Sequence, residues 1–248
     1  MSRGMADADS PRSPRPPLIP GIYNFCDTRC PRCPFNARCL VYLQQQRMDS
    51  VDPIGDVLRE YGPAPEPPPE FLELVSRADE AVRNMTAEES EAIEREEEAR
   101  RAQVNADRLV IAARYYTMTA WSVTQALTPI VEERGDPAVI DAVETIAALS
   151  GLVASKTYRA LSSEADEDFD RFDLESDANG SAKVARLIIA DSRRAWQVLM
   201  EIGRATADGV PMALVRVLDE IDAGLVKRFP RAMSFIRPGF DTEGVVSG

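Results

Sequence analysis

All four cysteines of the 248-residue chain lie in one short stretch, GIYNFCDTRCPRCPFNARCLVY, residues 21 to 42. They are Cys26, Cys30, Cys33 and Cys39, spaced C-x3-C-x2-C-x5-C. Four thiolates this close can hold a single metal centre, either a Zn²⁺ ion or an iron–sulfur cluster. Structural zinc usually takes two C-x2-C pairs separated by a longer stretch. Here there is one such pair, and all four ligands fall within fourteen residues. A [4Fe–4S] cubane is larger and holds its ligands further apart, which suits an irregular wrapping loop. Spacing alone leaves both metals open.

The chain has no histidine. That excludes Ser-His-Asp triads, His-paired catalytic cysteines, zinc-hydrolase sites and Glu-x-x-His di-iron bundles. Any metal must be held by thiolates or carboxylates. The segment ESDANGSAKVAR begins like a calcium loop, with Glu175, Asp177, Asn179 and Gly180, but Arg186 stands where a bidentate Glu is required. It reads instead as a turn at Asn179-Gly180, with Ser181 capping a helix. No glycine-rich phosphate loop is present. These absences argue against an enzyme.

The net charge of −12 argues against general nucleic-acid binding and against docking on anionic lipid. No apolar run approaches the roughly 18 residues of a membrane span, and the N-terminus lacks the apolar core of a signal peptide. A cytoplasmic, reducing location is expected, where clustered cysteines more often bind metal than pair as disulfides.

The elements that must carry the loop are helical. Five parts are expected: a disordered arm at 1–17, the cysteine module at 18–48, a Pro-rich linker at 49–69, a helical bundle at 70–236 and a loose tail at 237–248. A first helix over 70–84 carries Phe71, Leu74, Val75, Ala78 and Val82 at helical spacing. A long helix follows from the capping box Thr86–Glu89 to about LTP. The next begins with Asp136 as cap and Pro137 at the first helical position, and runs to about Leu161. The segment from Glu164 to Asp177 has eight acids and one Arg and reads as a solvated loop. Helices over 181–204 and from Pro211 to about Phe229 complete an all-α bundle.

The segment CPRCPFNARC resembles the stretch that closes the iron–sulfur loop of endonuclease III-type DNA glycosylases, whose pattern is C-x6-C-x2-C-x5-C. It is also similar to segments of RecB-like iron–sulfur nucleases and of auxiliary-cluster domains in radical SAM enzymes. The last three cysteines match that spacing; the first lies at x3 instead of x6. The resemblance covers about fourteen residues and implies a [4Fe–4S] site at Cys26, Cys30, Cys33 and Cys39, but none of those enzymes' activities. The radical SAM triplet C-x3-C-x2-C is also present, but Cys39 can close the site and no successive βα units follow. The string ASKTYRAL…SDANGSAKVARLIIADS further resembles uncharacterised bacterial proteins with an N-terminal four-cysteine loop, which brings no activity with it.

Around the cysteines, Arg29, Arg32, Arg38 and Arg47 outnumber Asp27, a balance that would stabilise an anionic cluster. Tyr23, Phe25 and Phe35 are placed to shield it. Elsewhere, charges fall on apolar helix faces: Arg114, Lys156, Arg159 and Asp191. They read as buried ion pairs, since an unpaired buried charge is too costly, or as the lining of a polar pocket for an anion. Tyr115, Tyr116, Trp121, Tyr158 and Trp196 read as core aromatics. The expected function is that of an iron–sulfur protein with a redox, electron-transfer, sensing or structural cluster and a protein partner. The alternative is a zinc-stabilised interaction module.

Overall fold

A computed structural model describes residues 15–62, 69–165, 174–201 and 209–242. Most of the expected N-terminal arm, most of the acidic segment and the end of the 181–204 helix lie outside these residues. All regular structure within them is helical. The helices are α1 (Leu40–Gln45), α2 (Pro53–Tyr61), α3 (Pro69–Asn84), α4 (Ala87–Asn105), α5 (Arg108–Arg134), α6 (Pro137–Glu164), α7 (Asp177–Glu201) and α8 (Val210–Arg228).

Helices α5 to α8 form a four-helix bundle in which α6 packs between α5 and α7, and α8 closes the ring against both α7 and α5. Its core is aliphatic, with Ile146, Leu149, Val153, Ile188, Ile189, Leu218 and Ile221 buried. Two aromatics sit in it as a pair, the indole Nε1–H of Trp196 donating to the Tyr116 hydroxyl at 3.1 Å. Burying the indole is tolerable because its N–H finds an acceptor in the Tyr116 hydroxyl. Tyr115 and Trp121, expected in the core, are instead exposed on the outer face of α5. Helix α6 is long and apolar enough to cross a membrane by length and composition. In the bundle its apolar residues are the centre of the core.

Local chemistry sets most of the boundaries. Thr86 and Glu89 form the reciprocal capping box at the start of α4. Asp136 accepts from the Ala138 N–H, with Pro137 at the first helical position of α6. The long helix expected from Thr86 onward is two helices, because Asp107 caps α5 by accepting from Leu109 N–H at 2.8 Å. Helix α5 then continues past Pro129 to Arg134. Within the expected linker, residues 53–61 are helical: Asp52 accepts from Gly55 N–H and Val57 is fully buried. The expected bundle helix over 70–84 does form, as α3, but none of its residues is buried. Helix α4 buries only Val104, near its end.

The turn expected at Asn179-Gly180 is absent. Helix α7 begins at Asp177 and runs straight through both residues, and Ser181 is buried inside it rather than capping it. Gly180 is there for space. A Cβ at this position would lie 2.4 Å from the Phe25 ring and 2.7 Å from the Phe235 ring. These two rings stack over the glycine with centroids 4.6 Å apart. They join the cysteine loop and the C-terminal segment to the same spot on α7.

Gly180→Ala should therefore destabilise the protein by about 1–3 kcal/mol through overpacking. Gly151→Ala, on an open face of α6 with no neighbour within 4 Å, should stabilise it by about 0.5–1 kcal/mol through helix propensity. Urea denaturation of the two variants checks the contrast in sign.

Candidate functional site

The cysteine loop is built from three short 3₁₀ turns, Ile22–Phe25, Cys30–Arg32 and Asn36–Arg38, followed directly by α1. Every cysteine sits at an end of one of these turns. Cys26 follows the first, Cys30 opens the second and Cys33 follows it, and Cys39 closes the third and leads into α1. Backbone bonds Cys33 N–H to Cys30 C=O and Cys39 N–H to Asn36 C=O, both 3.2 Å, close the last two turns. The Asn36 side chain ties them together by donating to Cys30 C=O at 3.3 Å. Between Cys26 and Cys30 the chain reverses at Thr28, whose φ of 57° is unusual for a residue with a branched Cβ.

This folding places all four cysteines in the lining of one recess. Its lining includes Cys26, Cys30, Cys33 and Cys39 together with Ile22, Tyr23, Asn36, Tyr42 and Phe240, and its volume with the open mouth is about 300 Å³. No disulfide joins the thiols; Cys39 is buried and the other three are half-buried. Burial, above all, pushes the Cys26, Cys30 and Cys33 thiols up from their ordinary value, and the neighbouring cysteines add to the effect at Cys30 and Cys33. Among the described residues no three His, Cys, Asp or Glu side chains are gathered closely enough to hold a metal ion. The four cysteines thus share a cavity without forming a closed coordination sphere.

The loop does not hang from a linker but is docked on the bundle. Lys156, buried on α6, donates to the Asn24 carbonyl at 2.6 Å. Burial is the main influence lowering the Lys156 pKa, with Arg159 adding to it and Cys26 opposing it. Arg29 bridges Asp27 in the loop, at 2.8 Å, to Asp191 on α7, at 3.0 Å. Arg32 pairs with Asp141 and Glu144 of α6. The arginines expected as a positive surround for the thiols are therefore engaged elsewhere: Arg29 and Arg32 with bundle acids, Arg38 with Pro17 C=O and Arg47 with Glu60. Burial raises the Cys26 pKa, and the Lys156 charge only partly offsets that rise.

The four charged residues singled out on apolar stripes do not converge on one pocket. Asp191 holds Arg29 and Arg194. Lys156 holds the loop backbone. Arg159 makes a two-pronged bond to Asp177, at 2.8 and 2.6 Å, at the start of α7. Arg114 lies over the Tyr158 ring and donates to Asn105. Two of the four, Lys156 and Asp191, are the points at which the cysteine loop is fastened.

The C-terminal segment completes the seat, which the sequence did not suggest. Buried Lys183 donates to Phe235 C=O at 2.6 Å and to the Asp241 carboxylate at 2.7 Å. Asp241 also accepts from the Arg237 backbone and guanidinium. So residues 237–242, within the expected loose tail, are packed. Phe240 meets Phe35 edge-on at 5.2 Å and lines the cysteine recess. Gly239 permits this approach, with φ of +79° and Ile22 where a Cβ would lie. The available signal was the pair of aromatics in FIRPGFD, easily passed over beside Pro and Gly.

Comparison with protein-family models, with curated proteins and with solved structures finds no match. The site must be interpreted from its own chemistry. Four cysteines line one recess, in a chain with no histidine.

Two outcomes follow. Lys156→Met should cost about 1–3 kcal/mol, because it leaves the Asn24 carbonyl unpaired, and should raise amide exchange over residues 22–39 more than in α8. The Asp241 clamp should also depend on pH. Burial alone would raise the Asp241 pKa, but hydrogen bonds from Arg237 and Lys183 hold it far below the ordinary value. Its contribution is thus fully present above an unfolded pKa of about 3.9 and is lost as pH falls towards the depressed folded value. The stability difference between wild type and Asp241→Asn should be flat from about pH 5 to 8 and shrink below about pH 4.

Proposed function

We propose that Cys26, Cys30, Cys33 and Cys39 ligate a [4Fe–4S] cluster, and that the protein uses it for redox work, as an electron carrier or sensor acting on a protein partner. The observation that carries this reading is that the chain's four cysteines all line one recess. The C-x2-C-P-x4-C spacing adds support.

Such a cluster supplies one-electron transfer at a potential set by its hydrogen bonds and exposure. The chain's own residues would do the rest. Ile22, Tyr42 and Phe240 exclude water from the inner side of the recess. The half-buried Cys26, Cys30 and Cys33 leave its outer side open, which favours exchange with a partner over a purely structural role. Lys156 places a positive charge near Cys26 and fixes the turn that precedes it. The absence of histidine and of an acid–base pair at the recess favours electron transfer or sensing over catalysis at the cluster.

The test is anaerobic purification of the full chain with iron, acid-labile sulfide and zinc measured together. Four irons and four sulfides per chain, with broad visible absorption bleached by dithionite, are expected. Stoichiometric zinc without iron would refute the cluster and favour the interaction module. Cys33→Ser should lose most of the iron and loosen residues 18–48, while the circular dichroism of the bundle changes little.

A further inference from the structure

Among the described residues, two apolar stripes stand exposed. On α3, Phe71, Leu74, Val75 and Val82 recur at helical spacing along one face and are 40–67% exposed. On α5, Ile111, Tyr115, Met118 and Trp121 do the same and are 55–69% exposed. Isolated exposed apolar residues need no explanation, but contiguous stripes mark interaction surfaces. An isolated helix the length of α3 is marginal in water without a surface to bury its face.

The two stripes match each other. At about 1.5 Å per residue each runs along roughly 15 Å of helix. Their charges are opposite. Arg108 and Arg114 are the only charged residues from 108 to 131; Arg114 lies within the α5 stripe, between Ile111 and Met118, over the Tyr158 ring. Glu70 and Asp79 flank the α3 stripe, and α3 carries four acids against two arginines. Eight large side chains half to two-thirds exposed give each copy on the order of the 800 Å² per partner of a standard specific interface. The stripes are not joined within the chain. Helix α4 stands between them, about 28 Å long by its rise and anchored near its Val104 end.

We propose that a second copy of this chain covers both stripes: α3 of each copy lies on α5 of the other, giving a two-fold dimer with two equivalent seams. Reciprocal exchange of this kind closes on itself and leaves neither stripe exposed. It also gives the charged, outward-standing α4 a role as the spacer that carries α3 across to the partner. The inference is independent of what the cysteines bind.

Sedimentation equilibrium of the full chain should give twice the 27.4 kDa chain mass at micromolar concentration. Phe71→Asp on α3 and Trp121→Asp on α5 alter exposed positions and should leave the bundle folded, with a cooperative thermal transition retained but shifted down by the lost dimer linkage. Each should weaken dimerisation by at least about 100-fold, as loss of a central aromatic anchor does. Mixing the two variants restores one seam of wild-type α3 on wild-type α5, so the mixture should form heterodimer more strongly than either variant forms homodimer. A monomeric wild type overturns the proposal. So does a dimer that survives either substitution, or a mixture with no gain, which would indicate like-with-like pairing of the stripes.

Discussion

The Phe25 ring occupies the space that any side chain at position 180 would fill, and the cysteine loop depends on this contact with the bundle. Residues 18–48 are too few to build a core of their own. Their private cluster is Ile19, Ile22, Phe35 and Cys39, and it is completed by Phe240 from the far end of the chain. A segment this small is normally held by metal, disulfides or a borrowed surface. Here the surface comes from α6 and α7. Gly180 opens a notch, Phe25 and Phe235 fill it, and Lys156 and Lys183 hold the backbone on either side through the carbonyls of Asn24 and Phe235. Both lysines are buried, so each must keep its partner, and this fixes the segments around Asn24 and Phe235 on the bundle.

The consequence for chemistry is a coupling between recess and bundle. The Asn24 carbonyl held by Lys156 lies two residues before Cys26, and Arg29, held by Asp191, lies one residue before Cys30. If the thiols hold the proposed cluster, its state would bear directly on these contacts to α6 and α7. That arrangement suits a centre whose state has to be felt by the rest of the molecule, and it gives the sensing form of the proposed function a physical route.

Much of the architecture was legible in the sequence. The capping box at Thr86 and the Asp136-Pro137 start involve neighbours within three residues, so local chemistry decides them. The cysteine set was legible because four thiols in fourteen residues of a chain with none elsewhere admit few structural explanations. What escaped depends on contacts between distant segments. Asn179-Gly180 has the composition of a turn, and only the rings of Phe25 and Phe235, more than fifty residues away in each direction, show why a glycine belongs inside α7. Asp191 and Lys156 were recognisable as charges on apolar faces, but their partners belong to the cysteine loop rather than to each other. Trp121 and Tyr115 were expected inside because aromatic residues usually are, yet their side of α5 faces away from the bundle. The periodicity of α3 correctly marked an apolar face but could not say that the bundle leaves it uncovered.

The central claim is that the four cysteines together hold one cluster. Native mass spectrometry of the full chain, purified and sprayed without oxygen, tests it most directly. The account predicts a mass excess over the bare chain equal to four irons and four sulfides, lost as a unit when any one of the four cysteines is replaced by serine. A bare chain under those conditions, or an excess equal to a single zinc ion, would contradict it.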